Sequence, residues 1–129
     1  LPRDFVLVAR ADGILTGQYD IDEALKRLHA FDAAGADCLY APLPKTRSDI
    51  ARICAEIKKP VNVLVAGHAN QISRADLAGM GVARISLGAA LARLTHRTII
   101  DAAQAMFDRG DFSPLGNMAP ASLVDPMLK

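Results

Sequence analysis

Four apolar stretches, each followed by a turn and a helix-like stretch, repeat along this chain, and the first begins at Phe5. They read FVLVARA from Phe5, DCLYA from Asp37, VNVLV from Val61 and ARISL from Ala83. Each is short, apolar on both faces and rich in Val, Ile and Leu, as parallel strands covered on both sides are. Strand, helix and strand in one direction force right-handed crossovers, so four in a row predict a curved parallel sheet with helices on its outer face. The expected fold class is α/β: four βα units, the C-terminal half of a TIM-type (β/α)8 barrel, with parallel strands and a C-terminal tail. Such a half leaves an apolar concave face and both sheet edges uncovered, so four further units or a second copy are expected to cover it. Leu1, where a natural start would show Met or a small residue, reads as a sign of a fragment.

The helices announce their ends. Ile21, Ala24, Leu25, Leu28 and Phe31 recur at helical spacing after Asp20, an N-cap with Glu23 three residues on in capping-box fashion, and Gly35 stops the run. Thr46 or Ser48 caps a second helix that Pro60 ends, and Ser73 caps a short third one closed by Gly79 and Gly81. The longest stretch runs from Ala89 to Arg109 with an apolar stripe of Leu91, Leu94, Ile99, Ala102, Ala103 and Met106. Beyond it, a segment containing Pro114, Pro120 and Pro126 reads as an irregular tail with one short helical turn. The whole is read as one partial domain, the half barrel over about 4–109 and the tail over about 110–129.

Composition narrows the classes of partner. A net charge of +1 and the absence of any run of like charge give no electrostatic footprint for nucleic acid. No apolar run approaches the roughly 20 residues that cross a bilayer, and no signal-peptide pattern opens the chain, so a cytoplasmic protein is expected. Cys38 and Cys54 fall in a strand and a helix and read as small buried residues rather than a disulfide.

In βα barrels the reactive groups stand where strands end and loops begin. The candidates on that rim are Arg10 and Asp12, Pro42 to Lys45, Gly67, His68 and Asn70, and Ser86 with Gly88. Arg10 offers a rigid fork of donors for a carboxylate or phosphoryl oxygen pair, or a salt bridge to Asp12. Asp12 either orients Arg10 or caps the following turn, the turn being the favoured role. Asn62 lies inside the third strand, where a buried amide needs a specific partner: a carbonyl, a water or a ligand. His68 lacks companions at metal-ligand spacing, and Gly88 precedes a helix whose free N–H groups suit an anion but also simply permits a tight turn. His29 and His96 read as surface or packing residues of helices. There is no paired carboxylate, ligand set, P-loop or nucleophile elbow.

The strings VLVARADG, IDEALKRLHAFDAAGADCLYAPLP and KPVNVLVAGHANQISRADLAGMGVARISLGAALAR, in that order, resemble the C-terminal half of the phosphoenolpyruvate mutase and isocitrate lyase superfamily, in its phosphoenolpyruvate mutase-like branch. The resemblance implies that these are the fifth to eighth units of a barrel. It also implies a parent enzyme that uses Mg2+ to bind a small α-oxyacid and makes or breaks a C–C or P–C bond through an enolate. The family's ARTDA signature stands here as ARADG, so Arg10 takes the substrate-anion role with Asp12 as motif partner, and Ala11 replaces a Thr. Asn62 is a further substrate-binding candidate by the same likeness. The family's metal-binding aspartates come from earlier strands, so the ligands of Mg2+ are not in this chain. Pro42 stands where isocitrate and methylisocitrate lyases carry a glutamate, which argues against those two activities. The family is dimeric or tetrameric with its last helix exchanged, which suits the stretch from Ala89 to Arg109. The leading expectation is the C-terminal part of a Mg2+-dependent lyase or mutase, inactive alone, working with the missing half or as a homo-oligomer. The alternatives are a self-associating half-barrel that binds or scaffolds without catalysis, and an unrelated enzyme using His68 as acid or base.

Overall fold

The computed structural model describes residues 5–128. Two compact units divide it, one through Gly88 and one from Ala89.

The first unit holds β1 (Val8–Arg10), α1 (Ile21–Ala33), β2 (Cys38–Tyr40), α2 (Arg47–Glu56), β3 (Val61–Leu64), a 3-10 turn (Gly67–Gln71), α3 (Arg74–Gly79) and β4 (Arg84–Ser86). The strands pair in parallel in the order β1-β2-β3-β4. An order that never reverses is the progression of a barrel wall, whereas a doubly wound sheet turns back at a switch point. This is the expected α/β arrangement of four parallel βα units of a TIM-type barrel.

Side chains alternate across the sheet, and the two faces differ. Leu39, Val61 and Val63 point outward into a core with Leu25 and Leu28 of α1, Ile50 and Ile53 of α2, and Leu77 of α3, all buried. The inward face carries Arg10, Tyr40, Asn62, Arg84 and Ser86 alongside Val8 and Leu64. The expectation of an apolar concave face is therefore corrected: the hydrophobic drive comes from the helix-facing residues, and the opposite parity is free to be polar.

The strands are shorter than their apolar runs. Both Asp37 and Cys38 donate to the Leu7 carbonyl, at 2.9 and 3.1 Å, and the Asp37 carboxylate accepts from the Leu7 N–H at 2.9 Å. Regular pairing then begins at Val8 with Cys38, and Phe5, Val6 and Leu7 are exposed.

Caps set the helices. Asp20 accepts from the N–H groups of Asp22 and Glu23, but Glu23 does not complete the expected capping box because its carboxylate holds Arg27 at 2.8 Å. The reciprocal box forms instead at α2, between Thr46 and Asp49. Gly35, at φ +94°, closes α1: the Ala36 N–H donates to the Phe31 carbonyl and the Gly35 N–H to that of Asp32, satisfying carbonyls the helix leaves free. Ion pairs tie the outer layer, Arg52 to Asp22 at 2.6 Å and Arg47 to Asp76 at 3.0 Å.

The second unit begins with α4 (Ala90–Arg109), which ends at Gly110 with φ +63°. Leu91, Leu94 and Ile99 of its stripe are exposed, while Ala105 is buried. The segment after it holds 3-10 turns at Ser113–Asn117 and Asp125–Leu128 flanking α5 (Ala121–Val124). One short turn was too few, since Pro114, Pro120 and Pro126 stand at the starts of these pieces, where a missing N–H costs nothing. No helix among the described residues is long and apolar enough to cross a membrane.

Candidate anion-binding site

Register decides which side chains meet. Arg10 pairs with Tyr40, Tyr40 with Asn62 and Asn62 with Arg84, so these four form one row across the inward face, with Ser86 one step above Arg84. They line an open recess of about 400 Å³ together with Val8, Leu64 and Gly88.

Arg10 closes β1 with its guanidinium half exposed, and it is held from two directions. Its Nε and Nη2 donate to Asp12 Oδ1 at 3.1 and 3.0 Å, and its ζ carbon stands 4.9 Å from the centre of the Tyr40 ring. Tyr40 is buried, so the ring is a fixed floor and adds a cation–π attraction. The Asp12 carboxylate thus orients Arg10, where the sequence had favoured a cap on the following turn. The turn is tied through the Asp12 carbonyl, which accepts from Thr16. Among the described residues Arg10 donates to Asp12 alone, through Nε and Nη2, which leaves its other guanidinium N–H groups without a protein partner there.

Asn62 is 1% exposed. Its Nδ2 donates to Ser86 Oγ at 3.0 Å, and its Oδ1 is buried without a partner among the described residues. A buried acceptor left bare costs about 1–3 kcal/mol, so Oδ1 is a candidate to accept from a water or a ligand hydroxyl. Ser86 in turn leans on the Val63 carbonyl at 3.4 Å.

Of the residues singled out in the sequence, Arg10, Asn62, Ser86 and Gly88 line the recess, with Asp12 holding Arg10 at its mouth. Gly88, at φ +54°, is two residues short of α4, and a Cβ there would press on Leu64 at 3.3 Å, so the tight turn accounts for it. Pro42 to Lys45, Gly67, His68 and Asn70 lie outside the recess. His68 is exposed in the 3-10 turn, and Asn70 Oδ1 accepts from Gln71 at 2.7 Å. His29 faces Glu56 at 3.8 Å and His96 is exposed. Both cysteines are free thiols, Cys38 buried and Cys54 half-buried, with burial pushing the Cys54 thiol pKa up. Sequence reasoning missed Tyr40 and Arg84; the available signal was that Arg84 shares its strand parity with Ser86.

The Mg2+ implied by the resemblance does not fit this residue set. The recess presents two guanidinium groups, the nearby Asp12 carboxylate is engaged by Arg10, and among the described residues no three His, Cys, Asp or Glu side chains gather.

Residues 1–107 match the family model described as phosphoenolpyruvate phosphomutase. An oxaloacetate decarboxylase of Rhodopseudomonas palustris (strain BisB18) is 31% identical over 88 residues, covering 68% of this chain and 28% of that protein. Among solved structures, a Burkholderia cenocepacia J2315 protein assigned as a lyase/mutase is 35% identical with a TM-score of 0.91, covering 99% of this chain and 46% of that one. Oxaloacetate acetylhydrolase is 26% identical with a TM-score of 0.70, covering 95% and 43%. This chain therefore spans less than half the length of each of these proteins.

Proposed function

This chain belongs to the phosphoenolpyruvate phosphomutase family, and we propose that it supplies the substrate-anion pocket of a lyase or mutase that makes or breaks a C–C or P–C bond in a small α-oxyacid. The observation that carries this is Arg10, at the C-terminal end of a barrel strand, fixed by Asp12 and Tyr40 and facing the same recess as the bare Asn62 oxygen. Active sites of such barrels stand at that end. The relatives named for oxaloacetate chemistry support a carboxylated substrate.

In this reading Arg10 grips a carboxylate or phosphonate through its free N–H groups, and the Asp12 pair keeps the fork from swinging away. Pre-paid orientation of this kind lowers the entropic cost of reaching a reactive geometry. Asn62, held by Ser86, offers Oδ1 to a hydroxyl or water at the centre of the ligand. The recess residues include no carboxylate, histidine or thiol, so in this reading they bind and orient the ligand. The recess residues offer Mg2+ no carboxylate or imidazole donor.

The test is Arg10→Lys and Arg10→Met in the full-length enzyme, assayed with oxaloacetate and with phosphonopyruvate. Lysine keeps the charge and loses the fork, so kcat/KM should fall about tenfold or more in both variants, with most of the loss in KM. Values within twofold of the native enzyme would remove Arg10 from the site.

A further inference from the structure

Leu43, between Pro42 and Pro44 in the loop from β2 to α2, has φ +54° and is the only residue other than glycine with a positive φ among the described residues. An L side chain crowds its own backbone there, and the proline that follows adds strain, because it pushes the residue before it toward extended backbone. Such a conformation persists only where its surroundings impose it. Pro42 and Pro44 are buried and their rings fix φ on either side, so the bend between them falls on Leu43. The capping box of Thr46 and Asp49 anchors the far end of the loop. The half-buried Leu43 side chain reaches the next loop along the rim: its δ2 methyl lies 3.7 Å from where a Cβ on Gly67 would stand, at the start of the 3-10 turn after β3.

From this juxtaposition we infer that Leu43 is a strained latch, through which the rim loops after β2 and β3 open and close as one. The structure shows the closed state, with the leucine seated beside Gly67 and its backbone left-handed. In the open state the backbone relaxes to the extended region and the seat is empty. Strain and seat oppose each other, so the latch stands nearer to opening than an unstrained turn with the same packing. These loops leave the strands that carry Tyr40 and Asn62, at the end of the barrel where sites stand, so the latch gates that side of the rim.

Native-state hydrogen exchange on the full-length protein reads both loops at amides that the closed state holds: Thr46, which donates to Asp49, and Ala69, which donates to the Ala66 carbonyl. In the native protein the two should share one opening constant, larger than that of Leu28 within α1. Leu43→Ala removes the seat and keeps the strain, so exchange at Thr46 and Ala69 should rise together by about tenfold or more while Leu28 stays within twofold. Leu43→Gly removes both, so it should exchange more slowly than Leu43→Ala at both amides, the reverse of the usual order of glycine and alanine. Native opening constants that differ about tenfold between Thr46 and Ala69 overturn the latch even where a variant does not fold. It is equally overturned by acceleration at one loop alone, by acceleration that reaches Leu28 in equal measure, or by Leu43→Gly exchanging as fast as Leu43→Ala or faster.

Discussion

Two residues in the loop after β1 show how closely this chain's own packing shapes the site. Ala11 is buried at 1% exposure, and its N–H extends the ladder to the Tyr40 carbonyl at 2.8 Å, so the methyl fits where a hydroxyl would need a partner. Gly13 stands against Tyr19, whose ring an added Cβ would overlap. Tyr19 in turn carries Arg27 over its face at 4.6 Å and cannot yield without loss. Gly13→Ala should therefore destabilise the protein by about 1–3 kcal/mol in urea denaturation, as overpacking does. An unchanged midpoint would mean that the loop has room to move. Arg10 and Asn62 are legible in the sequence because a charge at a strand end and an amide within an apolar run stand out against their neighbours. Tyr40 and Arg84 are not: the first reads as ordinary core in CLY, and the second opens its strand, away from the rim. Only the pairing register, which apolar periodicity does not reveal, sets all four in one row.

At the level of elements, the helix starts rest on single side chains that the sequence displays plainly. Ser73 accepts from the Asp76 N–H at 3.0 Å and donates to its carboxylate at 2.7 Å, and Arg47 reaches the same carboxylate from α2. Ser73→Ala should cost about 1 kcal/mol, read by denaturation. The Ser73 hydroxyl first, and Arg47 second, hold the Asp76 pKa below the ordinary carboxylate value. A depressed folded-state pKa stabilises the protein above the unfolded value of about 3.9 and loses that contribution as pH falls through the folded one. Asp76→Asn should accordingly be less stable than the native protein at neutral pH, with the difference closing below about pH 4. A difference that does not change with pH would contradict the assignment. Where the sequence was less informative, at the length of β1 and in the segment after Gly110, tertiary hydrogen bonds and the placement of prolines decided the outcome.

On the scale of the molecule, four parallel strands in unbroken order place one polar row on the inward face and leave the outer edges of β1 and β4 unpaired among the described residues. Phe5, Val6 and Leu7 precede β1, and Ile85 and Leu87 lie within and just after β4; all are exposed. Open edges flanked by apolar residues associate. A polypeptide of these 129 residues alone should sediment as species heavier than its 13.7 kDa monomer, and a stable monomer at tens of micromolar would count against that. The repeat of apolar strand and capped helix made the barrel wall legible, while the polar lining depended on parity and register. The central claim is that the inward row binds a small oxyacid anion at Arg10. A crystal structure of the full-length protein with oxalate tests it most directly. The anion should lie in the recess with carboxylate oxygens about 2.7–3.2 Å from the Arg10 guanidinium; oxalate bound away from the row, or Arg10 turned out of the recess, would contradict it.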